Sequence, residues 1–189
     1  MNVYDFDKTI YPGDSTVDFY LYCVCKQPSL LRFFPAQAMG VLKYKLGRCD
    51  KTAMKQAFFC FLKGVDAPAM AQTFWQSHRR LASWYQPTPE DVIISASPAF
   101  LLKPFCTQLG IAQVIASEVD PATGAFTTPN CRGAEKVRRF RSLFPDQTVH
   151  AFYSDSLSDS PMARIAQKAF LIRRSQIEPW PDFPAKDDV

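Results

Sequence analysis

The groups in this sequence best suited to chemistry are two closely spaced pairs of carboxylic acids, one hydroxyl and one amine: Asp5 with Asp7, Asp155 with Asp159, Ser95 and Lys136. Carboxylates that are brought together repel one another unless a cation is present. A set of oxygen ligands without His or Cys favours Mg²⁺ as that cation. Such a set also suits phosphate, because cations neutralise it, a hydroxyl hydrogen-bonds it and a carboxylate is free to attack it.

The hydrophobic pattern predicts that these groups share one edge of a sheet. Short apolar runs predict strands at 3–4, 92–94, 111–116, 148–153 and 169–172, and helices are predicted at 98–109, 133–144 and 161–167, with an irregular tail at 184–189. Alternating strands and helices predict a parallel α/β sheet. Asp5, Ser95 and Asp155 then follow strands, at the edge where open α/β sheets bind ligands.

A block of four predicted helices interrupts this pattern between the first and second strands. Helical spacing places them near 17–24, 29–46, 51–62 and 68–85. Asp14 or Ser15 is the expected N-cap of the first helix. We therefore expect a core formed by residues 1–13 and 88–189, and a helical cap formed by residues 14–87 that hangs over the site as a lid.

Composition and charge limit the class of protein. Hydrophobic residues make up 47% and charged residues 21% of the 189-residue chain, which excludes a disordered protein. Residues 14–87 hold ten Lys or Arg and four Asp or Glu, a balance that suits an anionic small molecule, an anionic lipid surface or nucleic acid. No signal peptide or spanning segment is visible, and the six cysteines lack zinc-ligand spacing. A cytoplasmic protein with reduced thiols is the expectation.

Four motifs resemble those of the haloacid dehalogenase-like (HAD) phosphohydrolases. Asp5-Phe6-Asp7-Lys8-Thr9 resembles the first motif, DxDxT, and Ser95 after its strand resembles the second. Lys136 resembles the third motif, and Asp155 with Asp159 the fourth. The resemblance spans residues 1 to about 173. The helical insertion after the first strand is typical of the phosphoserine phosphatase-like branch, subfamily IB. The resemblance implies a Rossmann-like parallel core with a helical cap.

The resemblance also implies roles for these residues. Asp5 would be the nucleophile that forms an aspartyl-phosphate, and Asp7 the general acid and then base. Ser95 and Lys136 would hold the transferring phosphoryl group. The implied metal-binding residues are Asp5, the backbone carbonyl of Asp7, Asp155, and Asp159 in support.

Other residues around these groups are expected to bind substrate: Thr9, which braces the loop, Asp14, Ala96 and Arg48. Asp14 corresponds to an acid that reads the substrate amine in phosphoserine phosphatases, although a helix cap explains it equally well. Arg48, with Lys43 and Lys45, either meets an anionic group of the substrate or lies on a solvated face. Ser97 precedes Pro98 and is expected to cap a helix.

Two positions depart from the family pattern. Lys8 stands where many relatives carry Gly or Ser, and it adds a positive charge beside the nucleophile. Ser154 stands where many relatives carry Gly. Neither change removes a functional group.

The expected function is a Mg²⁺-dependent phosphomonoester hydrolase acting on a small phosphorylated metabolite such as phosphoserine. A lipid-phosphate phosphatase resembling phosphatidylglycerophosphatase is an alternative, although Arg32, Lys43 and Lys45 interrupt the apolar cap segment of those relatives. A non-catalytic Mg²⁺- and phosphate-binding module is a third hypothesis, against which intact Asp5 and Asp7 argue. We expect no nucleic acid partner and no integral membrane segment. Peripheral membrane contact and the oligomeric state stay open.

Overall fold

The computed structural model describes residues 1–181, which contain a six-stranded sheet ordered β3-β2-β1-β4-β5-β6. Its strands are β1 Asn2–Tyr4, β2 Val92–Pro98, β3 Gln113–Ser117, β4 Val149–Ser154, β5 Ala166–Arg173 and β6 Gln176–Pro179. Strands β1 to β5 pair in parallel, which confirms the predicted α/β class. The predicted tail at 184–189 lies outside the described residues.

Strand β6 corrects the prediction of a wholly parallel sheet. It pairs antiparallel with β5 through a two-residue connection, Arg174 and Ser175, whose φ angles are 50° and 65°. Positive φ at both residues is the geometry of a tight hairpin turn that Asn-Gly normally signals. Because neither residue favours that geometry, the sequence pattern contains no indication of this strand.

The shortest strand, β1, occupies the centre of the sheet. Val3 pairs with Val92 on one side and with Phe152 on the other, and all three side chains are buried. A strand covered on both faces needs this continuous apolar character. The Asp5 amide donates to the Tyr153 carbonyl at 2.8 Å, so the chain leaves the sheet with Asp5 held beside the end of β4.

Three helices connect the strands after β2: α5 Ala99–Gln108, α6 Ala134–Leu143 and α7 Ser160–Ile165. The last of these is shorter than predicted, because Ala166 already pairs with Val149 at the start of β5. Buried apolar side chains form two clusters, one of which joins the core to the helical insertion. In that cluster the rings of Trp75 and Phe105 stack with centroids 4.2 Å apart.

The insertion between β1 and β2 contains four helices: α1 Ser15–Lys26, α2 Phe34–Lys45, α3 Lys51–Phe58 and α4 Ala67–Ser77. Their number and order are as predicted. The side chains of Asp14, Asp50 and Asp66 cap α1, α3 and α4 by accepting from the backbone amide three residues later. No helix among residues 1–181 combines the length and apolar character needed to cross a membrane.

Three helix boundaries of the insertion differ from the prediction. The segments Pro28–Phe33 and Phe59–Gly64 are 3₁₀ turns that precede α2 and follow α3. Helix α4 ends at Ser77 rather than near Tyr85. Beyond it the amide of Ala82 donates to the carbonyl of Ile10 at 2.8 Å, and Ala82 is buried. This contact draws the chain away from the helix axis and onto the loop that follows β1.

A turn at residues 120–124 contacts the helical insertion. Val119 and Phe126 form an antiparallel bridge, and Gly124 has a φ of 77°. A Cβ atom on Gly124 would collide with the carbonyl oxygen of Phe59. This glycine therefore permits both the left-handed turn and the close approach of the two segments.

Replacing Gly124 with Ala should destabilise the protein more than Gly110→Ala. Gly110 also has a positive φ, 76°, but apart from its chain neighbours no described residue lies within 4 Å of the point that a Cβ atom would occupy there, so it reports the backbone cost alone. That cost is about 1–2 kcal/mol, and the collision with Phe59 adds to it at Gly124. Urea unfolding measures both variants, and equal losses of unfolding free energy would contradict the close approach.

Candidate active site

A buried lysine joins two carboxylates at the end of the central strands. Lys136, only 1% exposed, places its Nζ 2.9 Å from Asp5 Oδ1 and 2.6 Å from Asp159 Oδ2. Burial opposes the lysine charge, but the two carboxylates outweigh it and raise the pKa of Lys136. For Asp5, burial raises the pKa, Lys136 opposes the shift and Asp159 adds to it. The lysine is therefore a fixed cation, and it does not fully offset the negative charge around it.

Both carboxylate oxygens of Asp159 are engaged within the protein. Oδ2 contacts Lys136 and accepts from Ser154 Oγ at 2.9 Å, and Oδ1 accepts from the Gly133 amide at 3.3 Å. These contacts favour a supporting role for Asp159 over direct ligation of a metal. The unusual Ser154 thus has a defined partner.

The carboxylate of Asp155 is in the opposite situation. It makes no hydrogen bond or ion pair with any residue in 1–181, although it lines the same cleft as Asp5. Burial and then the charge of Asp5 raise the pKa of Asp155 to about 6. Two carboxylates that disfavour each other's charge are a suitable pair for a cation.

The contacts of the four aspartates decide which of them could hold Mg²⁺. Within the described chain, no three His, Cys, Asp or Glu side chains are arranged to hold a metal ion. Mg²⁺ is commonly held by only one or two carboxylates together with water and substrate phosphate. Asp5 and Asp155 meet that smaller requirement, whereas the side chains of Asp7 and Asp159 are occupied by other partners.

Asp7 has hydrogen-bond donors around it instead of a lysine contact. Its Oδ1 accepts from the Ser15 amide at 2.7 Å, and its Oδ2 accepts from the Ser97 hydroxyl. Burial, followed by the charge of Asp14, raises the pKa of Asp7 to about 7, against the opposing effect of these hydrogen bonds. A carboxyl with such a pKa can exchange a proton near neutral pH.

The expectation that Ser97 caps helix α5 is wrong. Pro98 is the N-cap residue and no side chain caps the helix. The Ser97 hydroxyl instead lies between Asp7 and Thr16 Oγ1, the latter at 3.1 Å. Its partner at the motif position, Ser95, is buried and accepts from the Ser97 amide at 3.1 Å.

A cleft of about 310 Å³ brings most of the predicted residues together. Those that line it are Asp5, Asp7, Asp14, Ser95, Ala96, Lys136, Asp155 and Asp159. Asp14 is also the N-cap of α1, with its Oδ1 accepting from the Val17 amide at 3.1 Å, so the cap interpretation holds and a cleft-facing role is compatible with it. Lys8 lines the cleft as well, with a φ of 56°, a left-handed conformation that glycine adopts most readily.

Thr9 and Arg48 do not line this cleft, which argues against the expectation that they bind substrate. Thr9 is buried behind the loop, and its hydroxyl has no hydrogen-bond partner among the described residues. Arg48 is exposed just beyond α2. Lys43 and Lys45 are also exposed outside the cleft, as the solvated-face interpretation predicted.

Cations that the sequence reasoning missed occupy the cleft instead: Lys51, Lys55 and Arg132. Lys55 Nζ donates to the Ala96 carbonyl at 2.9 Å, and burial lowers its pKa while Asp7 opposes the shift. Lys51 and Lys55 are one helical turn apart at the start of the predicted third helix, a spacing that could have indicated a shared face. Val17, Met54 and Phe58 form an apolar wall beside them.

Residues 3–164 match the family described as haloacid dehalogenase-like hydrolase. The chain belongs to this family. It is 31% identical to Protein CicA of Caulobacter vibrioides over an alignment 195 residues long, which spans 92% of this chain and 86% of CicA. The resemblance inferred from the four motifs is thereby confirmed, and the protein is a hydrolase of that family.

Solved structures share the fold. A protein of unknown function from Bordetella pertussis Tohama I matches with a TM-score of 0.67 at 18% identity, over 89% of this chain and 87% of that one. A probable phosphoserine phosphatase from Vibrio cholerae matches with a TM-score of 0.63 at 13% identity, over 89% of this chain and 55% of that one. The HAD fold with its helical insertion after β1 is therefore confirmed.

The raised pKa of Asp7 predicts that, in metal-free buffer, the difference in unfolding free energy between Asp7→Asn and wild type depends on pH. Its carboxyl shifts from an ordinary 3.8 to about 7 in the folded protein, so its favourable contribution is complete below pH 3.8 and is lost as the pH rises through 7. Asp7→Asn cannot ionise. Its unfolding free energy relative to wild type should therefore increase between pH 4 and pH 8, by more than about 1.4 kcal/mol, which corresponds to one pKa unit.

Chemical unfolding at several pH values checks this expectation. Asp146→Asn, which removes an exposed carboxylate far along the chain from Asp7, is the reference for the loss of one acid. If the unfolding free energies of the two variants had the same pH dependence, Asp7 would not have the raised pKa that its surroundings indicate.

Proposed function

We propose that this protein is a Mg²⁺-dependent phosphomonoester hydrolase that forms an aspartyl-phosphate on Asp5 and acts on a small phosphorylated metabolite such as phosphoserine. The observation that carries the proposal is the pairing of two unlike carboxyl groups in one cleft. Asp5 is fixed by Lys136, whereas Asp7 has a pKa near 7 and no lysine of residues 1–181 within ion-pair distance. Membership of the HAD-like hydrolases supports this chemistry.

In the first step, a carboxylate oxygen of Asp5 attacks phosphorus and the bond between phosphorus and the leaving oxygen breaks. Asp7, in its protonated form, donates its proton to the departing alkoxide, which leaves as an alcohol. The Ser97 hydroxyl and Ser15 amide keep the Asp7 carboxyl in one orientation.

In the second step, water attacks the phosphorus of the aspartyl-phosphate. The Asp7 carboxylate takes a proton from that water, inorganic phosphate leaves and the Asp5 carboxylate is restored. A pKa near neutrality suits both halves of this cycle, because Asp7 must first give and then accept a proton.

The phosphoryl group would be held by Lys136, Ser95 and the backbone at Ala96, all of which line the cleft. Asp5 and Asp155, together with the backbone carbonyl of Asp7, would hold Mg²⁺. When bound, this ion would supply positive charge that offsets the carboxylates and the phosphate oxygens. The raised pKa of Asp155 supports this assignment, since its own neighbours leave its charge uncompensated.

We propose that residues 14–87 form a cap that selects the leaving group. Phosphoserine carries an amine and a carboxylate next to its phosphate, and the cap side of the cleft offers one acid, Asp14, and two cations, Lys51 and Lys55. Closure over the cleft would exclude water from the aspartyl-phosphate.

A lipid phosphate is the second candidate substrate, and the apolar wall of Val17, Met54 and Phe58 favours it. This wall would contact the hydrocarbon or glycerol part of such a leaving group. A comparison of phosphoserine with lipid phosphates in detergent distinguishes the two substrate classes, because only one should give a high kcat/KM.

Asp5→Asn should abolish turnover of p-nitrophenyl phosphate, because an amide cannot displace the leaving group at phosphorus. We expect a loss of at least about a hundredfold in kcat. Activity should require Mg²⁺ and disappear with EDTA. Asp146→Asn, an exposed position, is the matched control. Retention of more than about a tenth of wild-type turnover in Asp5→Asn would remove Asp5 from the nucleophile role.

Lys55→Gln should reduce kcat/KM for phosphoserine by about tenfold or more, equivalent to about 1.4 kcal/mol of transition-state stabilisation. The smaller p-nitrophenyl phosphate has no carboxylate and should be affected less. Lys45→Gln removes the same charge from an exposed site outside the cleft and should match wild type. A parallel loss on both substrates in Lys55→Gln would limit this lysine to supporting Ala96.

A further inference from the structure

Helix α2 leaves its large apolar side chains exposed. Only Gln37 and Gly40 of this helix are buried, while Phe34, Met39 and Leu42 are 59%, 51% and 49% exposed. A surface helix normally directs its apolar stripe at the core and its polar residues at solvent. The outward apolar face of α2 therefore has no partner within the described chain.

Helix α2 is held to the protein by small and polar contacts. Gln37 Nε2 donates to the Phe58 carbonyl at 2.9 Å, and a Cβ atom on Gly40 would meet the Cβ of Ala57 at 2.6 Å. These contacts fix which face of α2 points inward. The outward position of the apolar residues is thus a consequence of packing on α3.

Some of the exposed apolar residues form a stripe along the helix. At 3.6 residues per turn, one face holds Pro35, Ala38, Met39, Leu42 and Leu46, which we call the α2 stripe. Lys43 and Lys45 project about 80° to either side of it. Of the twelve large apolar side chains that are exposed in residues 1–181, nine lie between Val17 and Leu46.

The charge of this region is of one sign. Residues 19–49 contain five Lys or Arg and no Asp or Glu. All five cations are exposed: Lys26, Arg32, Lys43, Lys45 and Arg48. An apolar stripe flanked by lysines matches the interface of a bilayer, where acyl chains meet the stripe and anionic head groups meet the cations.

We propose that the α2 stripe docks the protein on the surface of membranes that contain anionic phospholipids. The helix has 12 residues, far fewer than the roughly 20 that span a bilayer, so it would lie along the surface. A second copy of the chain is a poorer occupant. A symmetric contact would bring these cations close to their own counterparts.

Docking is separable from catalysis. Lys51, Met54, Lys55 and Phe58 of α3 line the cleft, whereas Ala57 faces α2. Helix α3 therefore stands between the α2 stripe and the cleft. Substitutions on the stripe should leave turnover of soluble p-nitrophenyl phosphate unchanged, and Asp5→Asn should leave docking unchanged.

Vesicle sedimentation with the full chain tests the proposal. Vesicles of phosphatidylcholine with phosphatidylglycerol should bind the wild type at least about tenfold more tightly than phosphatidylcholine alone, and added salt should weaken binding. Met39→Glu with Leu42→Glu should bind the vesicles that contain phosphatidylglycerol about tenfold or more weakly than wild type, about the effect of two charges placed against the bilayer. Leu143→Glu with Ile177→Glu, exposed apolar residues outside the insertion, is the matched control.

Several outcomes would overturn docking. These are a wild type that does not bind the anionic vesicles, equal binding to both vesicle types, or equal losses in the two double variants. Light scattering after gel filtration tests a further outcome against docking. If the wild type forms a dimer and does not bind vesicles, and if Met39→Glu with Leu42→Glu dissociates that dimer, the stripe serves self-association. The vesicle result for Asp5→Asn separates docking from any failure of the proposed hydrolase activity.

Discussion

The buried ion pairs of Lys136 are the constraint on which the site depends. An ammonium taken out of water is costly unless carboxylates and hydrogen bonds compensate for it, and here Asp5 and Asp159 do so at 2.9 and 2.6 Å. The three groups come from the end of β1, the first turn of α6 and the loop after β4. A shift of any one element would leave a buried charge without a partner. The charges that would act on phosphate therefore also fix the elements around the sheet edge.

Two aspartates only two residues apart have opposite surroundings. Asp5 contacts a lysine that favours its charge, whereas the half-buried Asp7 has neutral donors around it and Asp14 nearby, and its pKa rises to about 7. In the proposed mechanism, these unlike environments divide the work of two identical carboxyl groups between a nucleophile and a proton carrier. This division comes from the turn after β1, which points one side chain at α6 and the other at α1. The sequence motif identifies the two acids, but the turn gives their carboxyl groups different surroundings.

The sequence was sufficient for features that local signals encode. Apolar runs located β1 to β5, helical spacing located the four helices of the insertion, and Asp5, Ser95 and Asp155 followed from their strand ends. Features set by packing were not accessible in this way. Strand β6 depends on a positive-φ turn for which Arg174 and Ser175 have no preference in the sequence. The Ser97 hydroxyl donates to Asp7 because α1 packs beside it. Arg48 and Lys55 are both cations of the helical insertion, yet only the packing of α3 over the sheet edge decides which one faces the cleft.

Helix α3 explains how one small insertion can present two different surfaces. Its cleft face carries Lys51, Met54, Lys55 and Phe58 at helical spacing, and its other side accepts the close approach of Gly40. Helix α2 meets α3 through a glycine and a glutamine, and this leaves the larger apolar residues of α2 exposed. A bulkier residue at position 40 would separate the two helices and disturb the cleft face as well. The same tight contact that orients the cations over the cleft thus also exposes the apolar stripe, so the two surfaces follow from one packing arrangement.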